Sequence, residues 1–449
     1  MYDDDIIAAI ATGYAVAAIG IVRVTGRGSL EILEKIFTKK PPYEHRKIHY
    51  GHITDSNGEV IDEVLVSVFK APNSYTGEDS FEISCHGGLS VLNFVLERVF
   101  EAGARMAQPG EFTKRAFLNG KIDLSQAEAV EKIISSKSKR ALFIAQRQLA
   151  GKFSSRIEQI REKILFLMAE NEVIIDHPEE DISSIETKEK VDMLVDIKKQ
   201  LKSILKSSQY GDMIFEGVVL AIIGKPNVGK SSLLNILTGT SRSIVTDIPG
   251  TTRDVVSETF NIKGIPCTIL DTAGIRETND VIENIGVQRS KKALKEADIV
   301  IAMFDASNGL DERDVRIINY AVKYSNKVVG VVNKTDIKKA NFRLPFDKVV
   351  EVSCKNEAGI DKLEDTIADL VINLENDSDI VSLNANQKDS LKKGINICDK
   401  LIEDFQRGVD PALIGVDFIS LADSLDDIVG KISNEDMLDT MFKKFCIGK

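Results

Sequence analysis

Residues 224–231 spell Gly-Lys-Pro-Asn-Val-Gly-Lys-Ser, a complete phosphate-binding loop. This stretch follows an apolar run at residues 218–223 and precedes a helical pattern that contains Leu233 and Leu237. Such a strand–loop–helix context allows the glycines to turn backbone N–H groups towards phosphate oxygens, while the helix N-terminus supports the negative charge. The loop therefore predicts an α/β domain built as a doubly wound sheet, with a phosphate at this turn.

Two side chains of the loop carry specific expectations. Lys230 would bridge the β- and γ-phosphates, and the Ser231 hydroxyl would hold Mg²⁺. The alternative is an ordinary turn that contains Gly and Lys by chance, which the flanking strand and helix disfavour. The residues expected to surround the phosphates are Asn227, Val228, Gly229, Lys230, Ser231 and Ser232.

A second motif indicates which base is bound. Asn333, Lys334 and Asp336 follow an apolar run at residues 328–332, where a strand should end. A carboxylate there can accept hydrogen bonds from guanine N1–H and the exocyclic amine, whereas adenine would leave it buried and unpaired. A further base-contacting loop, Ser353, Cys354 and Lys355, follows the apolar run at 349–352. The sequence therefore predicts GTP.

Two further segments have the composition of nucleotide switches. Asp271 can reach the metal through water, the Gly274 N–H can sense the γ-phosphate, and Thr252 is the candidate second Mg²⁺ ligand. Both segments would be ordered by the γ-phosphate and released after hydrolysis. The order of all these elements resembles the translation-factor-related branch of small GTPases. The two segments consist of Thr246, Asp247, Ile248, Pro249, Gly250, Thr251 and Thr252, and of Asp271, Thr272, Ala273 and Gly274.

The motifs identify the catalytic group less directly than they identify the nucleotide. Many GTPases place a water-orienting Gln after the second switch motif, but here the residue is Ile275. Glu283 can orient water instead, or it can be an exposed carboxylate at the start of a helix. A monovalent cation beside Asn227, held by carbonyls of residues 246–251, would supply positive charge. The residues alone leave these alternatives open.

Bulk properties set limits on partners and location. At 449 residues the chain predicts about three domains. Its net charge of −11 gives no overall field that attracts nucleic acid, so any RNA contact needs a local basic patch or a partner. Five cysteines without a Cys-x-x-Cys pair favour reduced thiols in the cytoplasm over a zinc site or disulfides.

One uncharged segment, residues 6–22, is long enough to raise the question of a membrane. Its acidic flank at residues 3–5 is unlike a secretory signal, and its length barely spans a bilayer. A buried strand bent at Gly13 and Gly20 is the preferred interpretation, with a membrane anchor as the alternative.

Composition changes along the chain suggest three domains. Residues 1–118 mix short β-rich runs with helical patterns. Residues 119–212 and 379–449 are helical, and residues 216–376 alternate strands and helices. The economical interpretation is a discontinuous helical domain with the GTPase domain inserted into it, joined through hinges at 209–212 and 375–379. Two separate small bundles are the alternative.

Motifs outside the GTPase block resemble the MnmE (TrmE) family of tRNA-modification GTPases, within the TrmE-Era-EngA-like GTPases. They occur in family order from residue 6 to the C-terminus. The segments that carry the resemblance are residues 19–23, 74–79, 85–88, 109–113, 115–121, 123–129 and the terminal Cys446-Ile447-Gly448-Lys449.

The resemblance implies an N-terminal α/β domain that binds folate and forms a homodimer, and a potassium-stimulated GTPase. With the FAD protein MnmG, the family adds an aminomethyl or carboxymethylaminomethyl group to C5 of the tRNA wobble uridine. A reduced folate, 5-formyl- or methylene-tetrahydrofolate, supplies the one-carbon unit.

The resemblance also implies roles for particular residues. Glu283 matches the catalytic glutamate, and Cys446 matches a cysteine proposed to act near the modification chemistry. The implied ligand contacts are Arg23, Glu78, Lys121 and Lys449 for folate, Asn227, Thr246, Ile248 and Thr251 for K⁺, and Ser231 and Thr252 for Mg²⁺.

Residues 11–18 depart from the family because they lack its two prolines, which puts the geometry of that loop in doubt. Two other functions remain possible from the residues. A regulatory GTPase for ribosome or complex assembly would leave the first 120 residues and Cys446 unexplained. A plain folate-binding scaffold would leave Lys230 and Asp336 without a role.

Overall fold

The computed structural model describes residues 5–176, 185–239, 259–270, 297–325, 327–371, 380–430, 441–443 and 445–448. Backbone contacts divide the chain into two compact units, each made of separate stretches of sequence. The first contains Met1–Glu131, Leu149–Ile185 and Asp404–Lys449, and the second contains Lys132–Gln148 and Glu186–Glu403.

The first unit contains a six-stranded sheet in the order β3-β4-β5-β2-β1-β6. Its neighbours are antiparallel except for the parallel pair β1 and β6. The strands are β1 (Ile7–Ile10), β2 (Ile19–Thr25), β3 (Ile48–Thr54), β4 (Val60–Phe69), β5 (Ser80–His86) and β6 (Arg105–Met106).

Alternation of buried and exposed residues in β2, β4 and β5 explains which face of the sheet packs against α1 (Ser29–Ile36) and α2 (Leu89–Glu101). Val22 and Val24 of β2 are buried, as are Val66 of β4 and Ile83 of β5. They pack with the apolar sides of α1 and α2, as the period of two in a half-buried strand requires.

The expectation of one bent strand over residues 6–22 is wrong. The segment forms two antiparallel strands, β1 and β2, paired from Ile7 with Thr25 to Ile10 with Val22. Residues 13–19 are exposed, so the apolar run includes a solvent-facing connection. Gly20 lies within β2, where a Cβ would come within 2.6 Å of the Leu92 side chain. Close packing of α2, not a bend, accounts for this glycine.

Helices form the remainder of the first unit. The helices α6 (Lys152–Asp176) and α12 (Pro411–Val429) pack along each other and bury Ile160, Ile164 and Phe418. Arg161 pairs with Asp426 at 2.7 Å. Two shorter helices in this part of the chain are α3 (Glu111–Leu118) and α4 (Leu124–Ser135).

The second unit contains the doubly wound sheet, in the order β12-β11-β10-β7-β9-β8. Only β8 runs antiparallel to its neighbour. Its elements are β7 (Val218–Gly224), α8 (Lys230–Gly239), β8 (Thr259–Ile262), β9 (Ile265–Leu270), β10 (Ile299–Asp305), α9 (Glu312–Tyr324), β11 (Val328–Asn333), β12 (Lys348–Glu351) and α10 (Ile360–Val371). Long apolar runs in β7 and β10 match burial on both faces, as parallel strands require.

The described part of the second unit also contains the helices α5 (Lys139–Leu149), α7 (Thr187–Glu216) and α11 (Ala385–Arg407). The predicted hinge at residues 209–212 is wrong, because α7 continues through it to Glu216. Gly211 has a packing role instead. A Cβ there would lie 2.0 Å from the Val381 carbonyl oxygen, so a glycine allows the two backbones to approach.

Within the described ranges, none of the helices combines the length and the apolarity needed to cross a bilayer.

Candidate functional site

The turn between β7 and α8 has the backbone shape of a phosphate cradle. Asn227 and Gly229 both have positive φ angles, 63° and 103°. A Cβ on Gly229 would lie 2.2 Å from the Asn333 side-chain nitrogen, so a glycine is required there. The turn ends at the start of α8, where free N–H groups and the helix dipole favour an anion.

Lys230 lies inside this turn and has no carboxylate partner in the hydrogen bonds of the described residues. Its ammonium group donates to the carbonyl oxygens of Gly224, at 2.8 Å, and Lys225, at 2.7 Å. Burial lowers the pKa of Lys230. A half-buried ammonium with only carbonyl partners can gain a phosphate oxygen, which fits a nucleotide polyphosphate.

Asn333 connects the phosphate loop with the two candidate base loops. Its side-chain amide donates to the Val228 carbonyl at 2.8 Å and accepts from the Cys354 N–H at 3.0 Å. The side chain is buried, and both of its polar ends have hydrogen-bond partners within the protein, as buried polar groups require. The assignment of Asn333 to the nucleotide stays a prediction, and the structure adds that its side chain braces the loops.

Asp336 lies beside the second base loop, at the carboxyl edge of the sheet. Its Oδ1 accepts a hydrogen bond from the Ser353 hydroxyl at 2.7 Å. The second carboxylate oxygen has no hydrogen bond among those found in the described residues. Cys354 is half-buried, and burial raises the pKa of its thiol. Asp336 and Ser353, which are 17 positions apart in the sequence, are therefore neighbours in the structure.

Two ion pairs around this edge were missed by sequence analysis. Lys334, with a φ of 65°, pairs with Asp305 at 2.7 Å, and Lys225 pairs with Asp314 at 2.6 Å. Asp305 ends β10 just as Asn333 ends β11. A polar residue at the end of a buried parallel strand is the signal that would have identified it.

The switch segments lie outside the described residues. This applies to Thr246–Thr252 as a group, to Asp271, Thr272, Ala273 and Gly274, and to Glu283 and Lys449. Of the expected Mg²⁺ ligands, only Ser231 is described, at the first turn of α8. The ranges that the structure covers contain no group of His, Cys, Asp and Glu able to hold a metal ion.

The first unit brings together several of the residues matched to folate. Arg23 on β2 pairs with Glu82 at 2.8 Å and donates to the Gly448 carbonyl at 3.2 Å. Its guanidinium carbon lies 5.9 Å from the Tyr75 ring centroid. An 80 Å³ cavity adjoins these groups, and its lining residues are Arg23, Thr25, Phe69, Tyr75, Thr76, Ser80, Glu82 and Phe112.

Glu78 lies next to Thr25, one of the residues that line this cavity. The Thr25 hydroxyl is 3.4 Å from Glu78 Oε2. Arg115 donates to the same carboxylate at 3.3 Å and 3.5 Å. Arg115 is only 4% exposed and also pairs with Asp5 and Glu111. Sequence analysis did not assign Arg115 a role.

Glu111 completes this charged cluster. Burial alone would raise the pKa of Glu111, but hydrogen bonds from Arg105, the Gln108 N–H and Arg115 outweigh that effect and hold the pKa below its ordinary value. The cluster therefore keeps the buried carboxylate of Glu111 ionised.

Lys121 and Cys446, two further residues matched to the family, make different contacts. The Lys121 ammonium group donates to the Pro72 carbonyl at 3.0 Å and is exposed. Cys446 is exposed, and its carbonyl accepts from the Gly110 N–H at 3.4 Å. A Cβ on Gly448 would lie 2.5 Å from the Ile10 carbonyl oxygen. The C-terminal residues thus pack against β1 and the start of α3.

Two family models match successive parts of the chain. The family model for the GTP-binding protein TrmE N-terminus matches residues 6–121, and the one for the MnmE helical domain matches residues 124–446. Among solved structures, Era of Aquifex aeolicus bound to GDP and AlF4− is 31% identical, with a TM-score of 0.29, covering 40% of this chain and 66% of its own.

Full-length relatives agree with these family models. The tRNA modification GTPase MnmE of Alkaliphilus oremlandii is 43% identical, with 100% of both chains covered. That of Acetivibrio thermocellus is 44% identical, again with 100% of both chains covered. Because the similarity extends over every domain, the chain belongs to the MnmE (TrmE) family of tRNA-modification GTPases.

Proposed function

We propose that this protein hydrolyses GTP to drive a modification of tRNA. Together with an MnmG-type FAD protein, it would add an aminomethyl or carboxymethylaminomethyl group to C5 of the wobble uridine. The observation that carries this proposal is end-to-end similarity to tRNA modification GTPases at 43% and 44% identity.

The phosphate end of the nucleotide would occupy the turn between β7 and α8. Lys230 would exchange one of its carbonyl partners for a phosphate oxygen, since its burial strengthens such a charge-assisted bond. Ser231 and Thr252 would hold Mg²⁺, which neutralises charge on the β- and γ-phosphates when bound.

The base end would be selected by Asp336. The hydrogen bond from Ser353 fixes one carboxylate oxygen and thereby the plane of the group. Guanine would then present N1–H and its amine to Asp336, and Ser353, Cys354 and Lys355 would border the base. Asn333 supports this arrangement because it ties the base loops to the phosphate loop.

The attacking water would be oriented by Glu283. Asn227, Thr246, Ile248 and Thr251 would hold K⁺, which supplies positive charge near the phosphates when bound. Asn227 lies in the phosphate loop and is exposed, so its side-chain oxygen is accessible to a cation, which supports this proposal.

A reduced folate would bind beside Arg23, Glu78, Lys121 and Lys449. Arg23 suits a folate carboxylate, and the side-chain oxygens of Glu78 can accept from pterin N–H groups. The 80 Å³ cavity is smaller than typical ligand pockets of about 300 Å³ or more, so it would take one edge of the pterin ring and leave the tail outside.

The proposal extends to domain organisation and location. The domains would be 1–118 for folate binding and dimerisation, 119–212 with 379–449 for the helical part, and 216–376 for the GTPase. We propose a cytoplasmic homodimer that assembles with the flavoprotein and tRNA.

The test is a reconstitution of the whole reaction. The full-length protein is purified and incubated with the MnmG-type flavoprotein, GTP, K⁺, Mg²⁺, a reduced folate, a hydride donor for the flavin, unmodified tRNA and a nitrogen donor, ammonium for the aminomethyl group or glycine for the carboxymethylaminomethyl group. Nucleosides are then analysed by mass spectrometry. We expect a C5-modified wobble uridine that disappears when GTP or this protein is omitted. An unmodified wobble uridine in the complete mixture would refute the proposal.

A second experiment tests the hydrolytic centre. We expect K⁺ to stimulate GTP hydrolysis and Na⁺ to fail, and Glu283→Ala to slow turnover while GTP stays bound. Equal rates in the two salts would remove the cation role of Asn227. Unchanged turnover in Glu283→Ala would make this residue a surface carboxylate.

A further inference from the structure

Residues 132–148 are strongly basic within an acidic protein. They carry five basic side chains and no acidic one, whereas the chain as a whole has a net charge of −11. A polyanion is repelled by most of such a surface and is attracted to a local concentration of cations. This segment is therefore where the charge distribution favours a nucleic acid. Its basic residues are Lys132, Lys137, Lys139, Arg140 and Arg147.

The helix α5 presents part of this segment on one defined face. Ser138 caps the helix, because its hydroxyl accepts from the Ala141 N–H at 3.1 Å. The inner face buries Ala141 and Ile144, which cluster with Ile214 and Ile380. This burial fixes the rotation of α5 about its own axis and leaves the opposite face in solvent.

The outer face of α5 combines an aromatic ring with cations. Phe143 is 63% exposed, and Lys139, one turn before it, is exposed as well. Arg140 and Arg147, three residues before and four after Phe143, are half-buried along one border of the same face. A phenyl ring that stays mostly exposed gains little free energy from burial, so folding alone does not account for it at this position.

A ring between cations matches the way proteins bind unpaired RNA. Bases outside a duplex stack on aromatic side chains, while Lys and Arg contact the phosphates on either side. A second copy of this chain would present the same basic face at a symmetric contact and oppose like charges. Charge complementarity therefore favours RNA as the occupant.

We propose that the outer face of α5, formed by Lys139, Arg140, Phe143, Gln146 and Arg147, is a contact surface for the substrate tRNA. Phe143 stacks an unpaired base, and the cations hold the adjoining phosphates. This inference rests on the proposed tRNA-modifying function and adds to it a location for the RNA.

The test measures the affinity of full-length protein for fluorescently labelled tRNA by anisotropy, in KCl from about 50 to 200 mM. Phe143→Ala should weaken binding about tenfold, which is within the range for removal of one base–aromatic stack. Phe143→Leu should do the same, because it keeps an apolar side chain and removes only the aromatic face. Lys139→Glu should weaken binding. It should also reduce the magnitude of the slope of log affinity against log salt concentration by about 0.7 or more, the change expected when one phosphate is no longer neutralised.

Matched controls come from other exposed positions. Phe94→Ala removes another exposed ring, and Lys393→Glu reverses another exposed lysine. Both should bind tRNA as the unaltered protein does. All variants should show the same thermal unfolding midpoint, which separates a change in tRNA binding from a change in folding.

Several outcomes would overturn the surface assignment without touching the proposed function. One is equal tRNA affinity in the α5 variants and the unaltered protein. Another is no binding by the unaltered protein at the lowest salt, while the reconstituted reaction still modifies tRNA. A third is a changed sedimentation mass in Phe143→Ala with unchanged tRNA affinity, which would identify a protein contact. If only the reconstitution failed, the proposed function would be refuted. The binding measurement would then still decide whether the outer face of α5 binds tRNA.

Discussion

At the scale of single residues, the proposed selection of guanine rests on the carboxylate of Asp336. Ser353 orients one oxygen of this carboxylate, and the other oxygen remains available for a ligand N–H. An amide in its place would offer an N–H donor where guanine also has a donor. The same amide would complement xanthine, which carries a carbonyl oxygen at that position.

Asp336→Asn should therefore weaken GTP binding by at least about 100-fold and improve binding of xanthosine triphosphate, because two hydrogen bonds to a charged group are removed. Isothermal titration with both nucleotides measures this exchange. Asp347→Asn, which alters an exposed carboxylate in the same unit, should change neither affinity. A variant at position 336 that still prefers GTP would show that another group selects the base.

At the scale of elements, Glu111 attaches the start of α3 to the strand β6. Its carboxylate is 4% exposed and pairs with Arg105 at 2.6 Å and Arg115 at 3.1 Å. Both guanidinium groups keep Asp5 as a partner when Glu111 loses its charge, so the cost is that of hydrogen bonds to one charged group, about 1.5–3 kcal/mol.

Glu111→Gln should lower the free energy of unfolding of this part by roughly that amount at pH 7, measured by hydrogen exchange of β1 and β6 amides. The folded-state pKa of Glu111 is depressed, so its stabilisation is present above the unfolded-state pKa of about 4.3. It is lost as the pH falls through the lower folded-state value. The difference between the variant and the unaltered protein should therefore shrink in acid, whereas a constant difference would mean that charge is not the cause. Glu101→Gln, on an exposed pair, should have little effect.

Two mid-helix glycines provide an internal comparison of packing against helix propensity. A Cβ on Gly211 in α7 would meet the Val381 carbonyl oxygen at 2.0 Å, whereas one on Gly415 in α12 would lie 3.5 Å from the Asn171 side chain. Alanine favours a helix interior over glycine by about 1 kcal/mol.

Gly415→Ala should consequently leave the thermal unfolding midpoint unchanged or raise it. Gly211→Ala should lower the midpoint, because the backbones must separate to relieve the clash. Differential scanning calorimetry of the full chain distinguishes the two. If the two variants had equal midpoints, the close approach of α7 to the backbone at Val381 would be refuted.

At the scale of the whole molecule, the end of the chain returns to its beginning. Gly448 contacts Arg23 across 425 residues of sequence, and Cys446 contacts Gly110. The first of these contacts places Gly448 beside Arg23, which lines the 80 Å³ cavity, whereas the phosphate loop belongs to the other compact unit.

Deletion of residues 446–449 should therefore abolish wobble-uridine modification in the reconstituted reaction and leave GTP hydrolysis intact. Nucleoside mass spectrometry and phosphate release measure the two activities on the same preparation. Truncation at 445 that leaves modification at its normal level would show that the C-terminal thiol and lysine take no part in it. Cys446→Ser, which keeps the chain length, separates the thiol from the rest of the tail.

The amino-acid sequence by itself determined the elements and their chemistry. The phosphate loop, the strand before it and the amphipathic faces of α7 and α11 follow from local periodicity and turn residues, which neighbouring residues encode directly. The resemblance to the MnmE family rested on short motifs of the same local kind. These are properties that need no knowledge of which strands are neighbours.

Only the tertiary structure decided how distant residues are combined. The pairing of Lys334 with Asp305, the contact of Arg115 with Glu78 and the brace formed by Asn333 depend on sheet order and on packing between helices. The same holds for Gly211, which local rules mark as a hinge but which lies inside a continuous helix. Hydrophobic burial sets which elements meet, and that free energy is summed over the whole core, so no short stretch of sequence contains it.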